Sequence, residues 1–169
     1  LAKEMFHLKV KKLTSRDITK NNYGQKVFHL LNEAYRPIFG FSELTEKQIN
    51  SFIKQYLKLI DKDLITLVEN EKDELVGVAI TMCSLSQAMR KTHGKLFPFG
   101  WLHLLKALKW KPEDNAELLL IAVRPDYQML GVNALFFDDL LPIYNKHGTR
   151  WAETGPQLED NVRELSQWK

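Results

Sequence analysis

Residues 6–11 alternate, with Phe6, Leu8 and Val10 on one side and His7, Lys9 and Lys11 on the other. That is the period of a half-buried strand, and lysines along the outer side blunt a sheet edge. Residues 14–23 are polar and read as a loop. From Gln25 the period lengthens: Val27, Leu30, Leu31 and Ala34 make one helical stripe. This helix must stop before Pro37, because the residue ahead of a proline avoids helical angles. Thr45-Glu-Lys-Gln48 has the capping-box pattern, and Ile49, Phe52, Ile53, Tyr56, Leu57 and Ile60 then hold helical spacing. Residues 64–69 and 75–82 read as two strands of a hairpin, joined by the charged turn 70–74.

The chain is organised around residues 116–141. Residues 118–123 are an unbroken apolar run, the mark of a buried strand. Residues 124–130 form a turn around Pro125. From Gly131 the pattern turns helical, with Leu135, Leu140 and Leu141 on compatible spacing, and runs to His147 with Gly148 as its C-cap. Pro142 lies inside this helix and is expected to kink or shorten it. Residues 149–154 read as a fifth strand, Gly155-Pro156 as a turn, and residues 158–169 as a last helix. A strand, a short turn and a helix opening at a glycine suit an anion. The first amides of a helix lack partners within it, and its dipole is positive there, so a phosphate meets both needs.

At 169 residues one domain is expected, large enough to bury a core. Hydrophobic content of 44% and charged content of 27% are ordinary for a globular chain. A net charge of +3 fits an anionic ligand without demanding nucleic acid. The one cysteine, Cys83, allows no intrachain disulfide and fits a reducing cytoplasm. No apolar run approaches a membrane span, and no signal peptide is visible. The chain opens at Leu1 and closes at Lys169 in a helical pattern, so it reads as a piece of a longer protein. The five histidines show no metal-ligand spacing with each other or with Cys83. No phosphate-loop, dinucleotide or nucleophile-elbow motif is present.

Val123-Arg-Pro-Asp-Tyr-Gln128-Met-Leu-Gly131-Val-Asn133 resembles the acetyl-CoA signature of the GNAT N-acetyltransferases. That family places Gln or Arg, any two residues, Gly, any one residue, then Gly or Ala after a strand ending in Val-x-Pro. Gln128 and Gly131 match, and Asn133 stands where a small residue is usual. The resemblance implies an α/β acyl-CoA N-acyltransferase fold, a mixed central sheet flanked by helices, over a single domain spanning residues 1–169. It implies that acetyl-CoA, or another acyl-CoA, is the co-substrate, with no metal. It places the CoA pyrophosphate on the amides of Gln128, Met129, Leu130, Gly131, Val132 and Asn133. The pantetheine arm would meet the backbone of Ile121 and Val123 in a gap between the central and fifth strands, with Asn161 nearby. Phe39 and Phe41, in the loop after the first helix, would border the acceptor pocket or serve as core aromatics.

Two features depart from a compact member. Residues 84–112 are an insertion of about thirty residues, well beyond a normal connection. It has a helical pattern at 84–92, an aromatic turn at Leu96-Phe-Pro-Phe-Gly100 and an amphipathic helix from Trp101 to Trp110. A lid, a packing insertion and a membrane-surface helix all remain open, the last resting on one short helix. Leu-Phe-Pro-Phe-Gly before such a helix, with Glu153-Thr, Asn161 and Ser166-Gln-Trp-Lys169, is also similar to an uncharacterised GNAT-like group. The two strands that complete the GNAT sheet are missing from this chain, and the open edge invites homodimerisation or strand exchange.

The implied reaction is direct attack of an amine, on a small molecule or a peptide, on the thioester carbonyl. It needs a base for the amine, an N–H donor for the carbonyl and a proton for the leaving thiolate. Glu117 matches the position of the glutamate base of histone-type members, and an amide near Val123 would be the donor. Glu153 on the fifth strand would face the same cleft. The tyrosine many members carry on the last helix falls here on Trp168, so the acid is left unassigned. The rival reading is a non-catalytic GNAT-like module of a larger protein, binding CoA or nothing.

Overall fold

The protein is represented by a computed structural model that describes residues 7–56, 60–93, 114–159 and 161–165. Its strands are β1 (Lys9–Lys12), β2 (Ile65–Glu69), β3 (Leu75–Cys83), β4 (Asn115–Val123) and β5 (Trp151–Thr154). They form one mixed five-stranded sheet in the order β1-β2-β3-β4-β5. Neighbours from β1 to β4 are antiparallel, and β5 lies parallel to β4. Its helices are α1 (Ser15–Thr19), α2 (Tyr23–Tyr35), α3 (Glu46–Tyr56), α4 (Ser86–Lys91), α5 (Val132–His147) and α6 (Val162–Leu165).

Both sheet faces are covered, which explains why β2, β3 and the centre of the sheet are apolar runs rather than alternating strands. On one face α2 sets Val27, Leu30, Leu31 and Ala34 against Leu67, Val78, Ile80 and Ala122. On the other α5 sets Val132, Leu135, Phe136, Leu140 and Tyr144 against Val68, Val76, Ala79, Ala116 and Val123. Each such large side chain taken fully from water stabilises the fold by roughly 1.5–3 kcal/mol. Gly77 on β3 lets α5 approach. A Cβ there would stand 2.8 Å from Val132 Cγ1 and 2.9 Å from Phe136 Cζ.

The helix signals in the sequence act as written. Thr45 and Gln48 form the reciprocal cap of α3: the Thr45 amide donates to Gln48 Oε1 at 2.9 Å, and the Gln48 amide to Thr45 Oγ1 at 3.4 Å. Gly148 caps α5 in the left-handed conformation at φ 73°. Several boundaries differ. Residues 14–23 are not all loop: a capping box between Thr14 and Asp17 starts α1. The first strand begins at Lys9, with Leu8 buried just ahead of it, while Phe6 lies outside the described residues. The second helix starts at Tyr23 rather than Gln25. β4 begins at Asn115, and β5 at Trp151 rather than residue 149. α5 reaches His147 as expected, and Pro142, on its exposed side, does not shorten it. Of the expected insertion, residues 84–93 are described and contain α4, whereas the aromatic turn and the helix from Trp101 to Trp110 lie outside the described residues. Of the expected last helix, the described residues show α6 from Val162, while residues 166–169, Trp168 among them, lie outside the described residues.

Candidate active site

β4 carries one residue more than β3 opposite it. Ile80 pairs with Leu120 and Thr81 with Leu118, so Leu119 is extra and unpaired, a β-bulge. The parallel strand β5 follows β4 only along Asn115–Leu118, up to that bulge. Beyond it, the outer edge of β4 from Leu119 to Val123 has no strand beside it among the described residues. The two strands therefore part, and the gap opens into a cleft of about 820 Å³. Ile121, Val123, Gln128, Met129, Gly131, Val132, Asn133 and Asn161 all line this cleft, as does Phe39. Leu130 is the one expected loop residue absent from the lining. Phe41 is absent too and packs edge-on against Tyr35, ring centroids 5.7 Å apart.

The loop into the cleft is rigidly tied. Arg124 donates two hydrogen bonds to Asp126, at 2.8 and 3.0 Å, reaches Glu74 at 3.4 Å and stacks over the Tyr127 ring at 4.7 Å. The hydrogen bonds and charge of Asp126 raise the Arg124 pKa above its ordinary value. Arg124 thus ties the loop to the hairpin turn. Met129 and Gly131 hold positive φ, 66° and 80°, and glycine adopts this conformation with least strain. α5 has no side-chain cap. Among the described residues nothing accepts from the amides of Gly131, Val132 or Asn133, whereas those of Gln128 and Leu130 donate to Pro125 and Tyr127 carbonyls at 3.4 Å. A long helix whose first amides face a cleft with no internal acceptor fits a diphosphate.

Glu117 sits on the near side of the bulge, away from the cleft lining, and is partly exposed. Its Oε1 accepts from Ser84 Oγ at 2.7 Å; Ser84 is fully buried and in turn accepts from the Ser86 amide at 3.2 Å. Parallel register places Glu117 directly opposite Glu153, so both project from the same face of the sheet, and Glu153 is exposed. Two contributors were not foreseen. Ser84 orients Glu117, and the Tyr35 hydroxyl donates to the Ile121 carbonyl at 2.7 Å. Neither carries a local sequence signal, since each contact joins residues far apart in the chain. Among the described residues no group of His, Cys, Asp and Glu is placed to hold a metal ion, and no helix is long and apolar enough to cross a membrane.

An aminoglycoside acetyltransferase from an uncultured soil metagenomic sample superposes with a TM-score of 0.57 over 98% of this chain and 87% of its own, at 15% identity. A GNAT-family acetyltransferase from Brucella melitensis, solved with acetyl-CoA, superposes with a TM-score of 0.55 over 95% of this chain and 82% of its own, at 13% identity. This chain has the GNAT fold. The diaminobutyrate acetyltransferase of Paenibacillus lautus, solved with its amine substrate and coenzyme A, shares the fold at a TM-score of 0.54 and 15% identity, over 95% of this chain and 70% of its own. No family model matches the sequence. Two curated proteins do. Bacterial ceramide synthase of Caulobacter vibrioides is 31% identical over 116 residues, 67% of this chain and 30% of its own length. Protein YghO of Escherichia coli is 27% identical over 121 residues, 70% of this chain and 31% of its own. The chain with the GNAT fold therefore spans less than a third of the length of these relatives.

Proposed function

We propose that this GNAT-fold chain is the acyl-CoA-binding part of an N-acyltransferase that moves an acyl group from the CoA thioester to an amine. The observation that carries the reading is the parting of β4 and β5 at Leu118, which leaves an open strand edge leading to the uncapped start of α5. The amides of Gly131, Val132 and Asn133 hold the diphosphate of acyl-CoA. Ile121 and Val123 offer backbone groups to the pantetheine arm, and Asn161 lines its path.

In the reaction the amine nitrogen forms a bond to the thioester carbonyl carbon, the carbon–sulfur bond breaks, and CoA leaves as the thiolate. Glu117 takes the proton from the attacking nitrogen, directly or through water, with its carboxylate fixed by Ser84. Glu153 beside it adds negative charge that draws an amine to this end of the gap. Transfer needs little more than such placement.

Two observations favour a fatty acyl group and a lipid amine over acetyl and a small polar amine. The cleft is bordered by apolar side chains left in solvent: Phe39 is 86% exposed, Met129 92%, Val162 70% and Leu158 47%. Ceramide is an amide of a long-chain amine with a fatty acid, and the relative from Caulobacter vibrioides is named for making it. The test is amide formation from acetyl-, octanoyl- and palmitoyl-CoA, each offered a sphingoid base, a polyamine and a peptide amine, with Glu117→Gln in parallel. The reading expects turnover with the longer chains and at least about a hundredfold loss in Glu117→Gln, with CoA affinity retained. Equal inertness of both proteins across the panel, with CoA bound, would reassign the chain as a non-catalytic CoA-binding module.

A further inference from the structure

Tyr35 closes α2 and lines the cleft, with its hydroxyl 2.7 Å from the carbonyl oxygen of Ile121. The direction of that carbonyl follows from the ladder. The Arg124 amide donates to the Val76 carbonyl at 2.8 Å, in register with the pairs Gly77–Val123 and Val78–Ala122. Backbone groups alternate along a strand, so Ala122 and Leu120 bond toward β3 while Ile121 and Val123 present theirs to the open side. That side is where β5 would continue had it not parted from β4. An extended chain laid there in parallel needs a carbonyl acceptor and, two residues on, an amide donor. β4 offers the Ile121 carbonyl and the Val123 amide. The Ile121 acceptor is the one the Tyr35 hydroxyl already holds, and the neighbouring Val123 carbonyl is held by Gln128 Nε2 at 3.0 Å.

We propose that the Tyr35 hydroxyl is a stand-in for the pantetheine amide: it satisfies the Ile121 carbonyl in the free protein and must give that acceptor up when acyl-CoA enters. The inference rests on the acyl-CoA reading above and adds a residue that sets affinity for the pantetheine half alone. Both donors are neutral and of similar strength, and both reach the carbonyl from the cleft, so they compete for one oxygen. The stand-in keeps the Ile121 carbonyl paired on the open strand edge, where an unmet acceptor is costly. The Tyr35 ring packs against Phe41, so removing only the hydroxyl leaves its packing in place.

The experiment compares wild type with Tyr35→Phe by calorimetric titration against two ligands, CoA and 3'-phosphoadenosine 5'-diphosphate, which keeps the diphosphate and lacks pantetheine. Melting curves of both proteins establish that the variant is folded. Competition predicts that Tyr35→Phe binds CoA about two- to tenfold more tightly, the range of one neutral hydrogen bond, and binds the nucleotide fragment unchanged. A second measurement places 3-fluorotyrosine at position 35, whose fluorine resonance must move with CoA and stay still with the fragment. Unchanged or weakened CoA binding in Tyr35→Phe, or a fluorine signal indifferent to CoA, overturns the stand-in while leaving the acyl-CoA site intact. Failure of wild type to bind either ligand removes the acyl-CoA reading itself, and the stand-in with it.

Discussion

Gly77→Ala is the smallest change that strikes both the fold and the proposed site. The new Cβ would lie 2.8 Å from Val132 Cγ1 and 2.9 Å from Phe136 Cζ. Carbon atoms in contact rest about 3.5–4.0 Å apart, so strand and helix must separate by a sizeable fraction of an ångström. Neither neighbour can swing away, since Val132 and Phe136 are both fully buried. Overpacking of this kind costs about 1–3 kcal/mol, and alanine recovers roughly 0.5–1 kcal/mol by restricting the unfolded chain. The net loss is about 1–2 kcal/mol, a fall in Tm of roughly 2–8 °C for a chain of this size. Val132 follows Gly131 directly, so the same displacement moves the amides proposed to hold the diphosphate, and CoA affinity falls with stability. Urea unfolding followed by fluorescence measures the first effect, with the m-value unchanged. The double variant Gly77→Ala, Val132→Ala removes the nearer clash and should lose less than the sum of its parts. A Gly77→Ala protein with an unchanged or higher urea midpoint would refute the packing argument.

Ser84→Ala frees the Glu117 carboxylate from its orienting hydroxyl and should lower turnover less than Glu117→Gln, with CoA affinity unmoved; equal losses in the two variants would place Ser84 in the chemistry itself. Gly131→Ala forces a side chain into φ 80° and should weaken CoA binding, while Gly131→Asn, which tolerates that region better, should weaken it less; the reverse order in a titration would remove the conformational explanation. Asp17 is buried, which works against its charge, but hydrogen bonds from Thr14 and Asn21 and the charge of Lys11 outweigh this and bring its pKa to about 2. A lowered carboxylate pKa gives stability that is full above the ordinary aspartate range and lost as pH falls toward about 2. Acid unfolding should therefore show a loss on the order of 2 kcal/mol between about pH 4 and pH 2. Asp17→Asn should lack that step and be less stable at neutral pH; an identical acid profile in the variant would contradict it.

How much of this was legible in the sequence follows the range of the interactions. The capping boxes, the buried strands and the α5 stripe are local, and residues within a few positions fix them. Even so, the box at Thr14 is faint in the sequence, because an aspartate, Asp17, closes it where glutamate or glutamine is usual. The bulge at Leu119 left no trace, since one extra leucine in a run of leucines changes no period. Yet that residue is where β5 leaves β4 and the cleft begins. The loop from Gln128 to Asn133 was readable because a helix opening at glycine is a local device. The roles of Tyr35 and Ser84 were not, because each depends on a carbonyl or carboxylate brought near by the sheet. Propensity alone predicts that Pro142 shortens or kinks its helix, whereas the packed face of α5 carries the helix past it to His147.

The most direct measurement follows backbone amide resonances while CoA is added. The expected result is saturable shifts of the Gly131, Val132 and Asn133 amides, with smaller ones at Ile121 and Val123, all fitting a single Kd. Resonances at those five positions that stay fixed at millimolar CoA, while the protein remains folded, would contradict the proposed site outright.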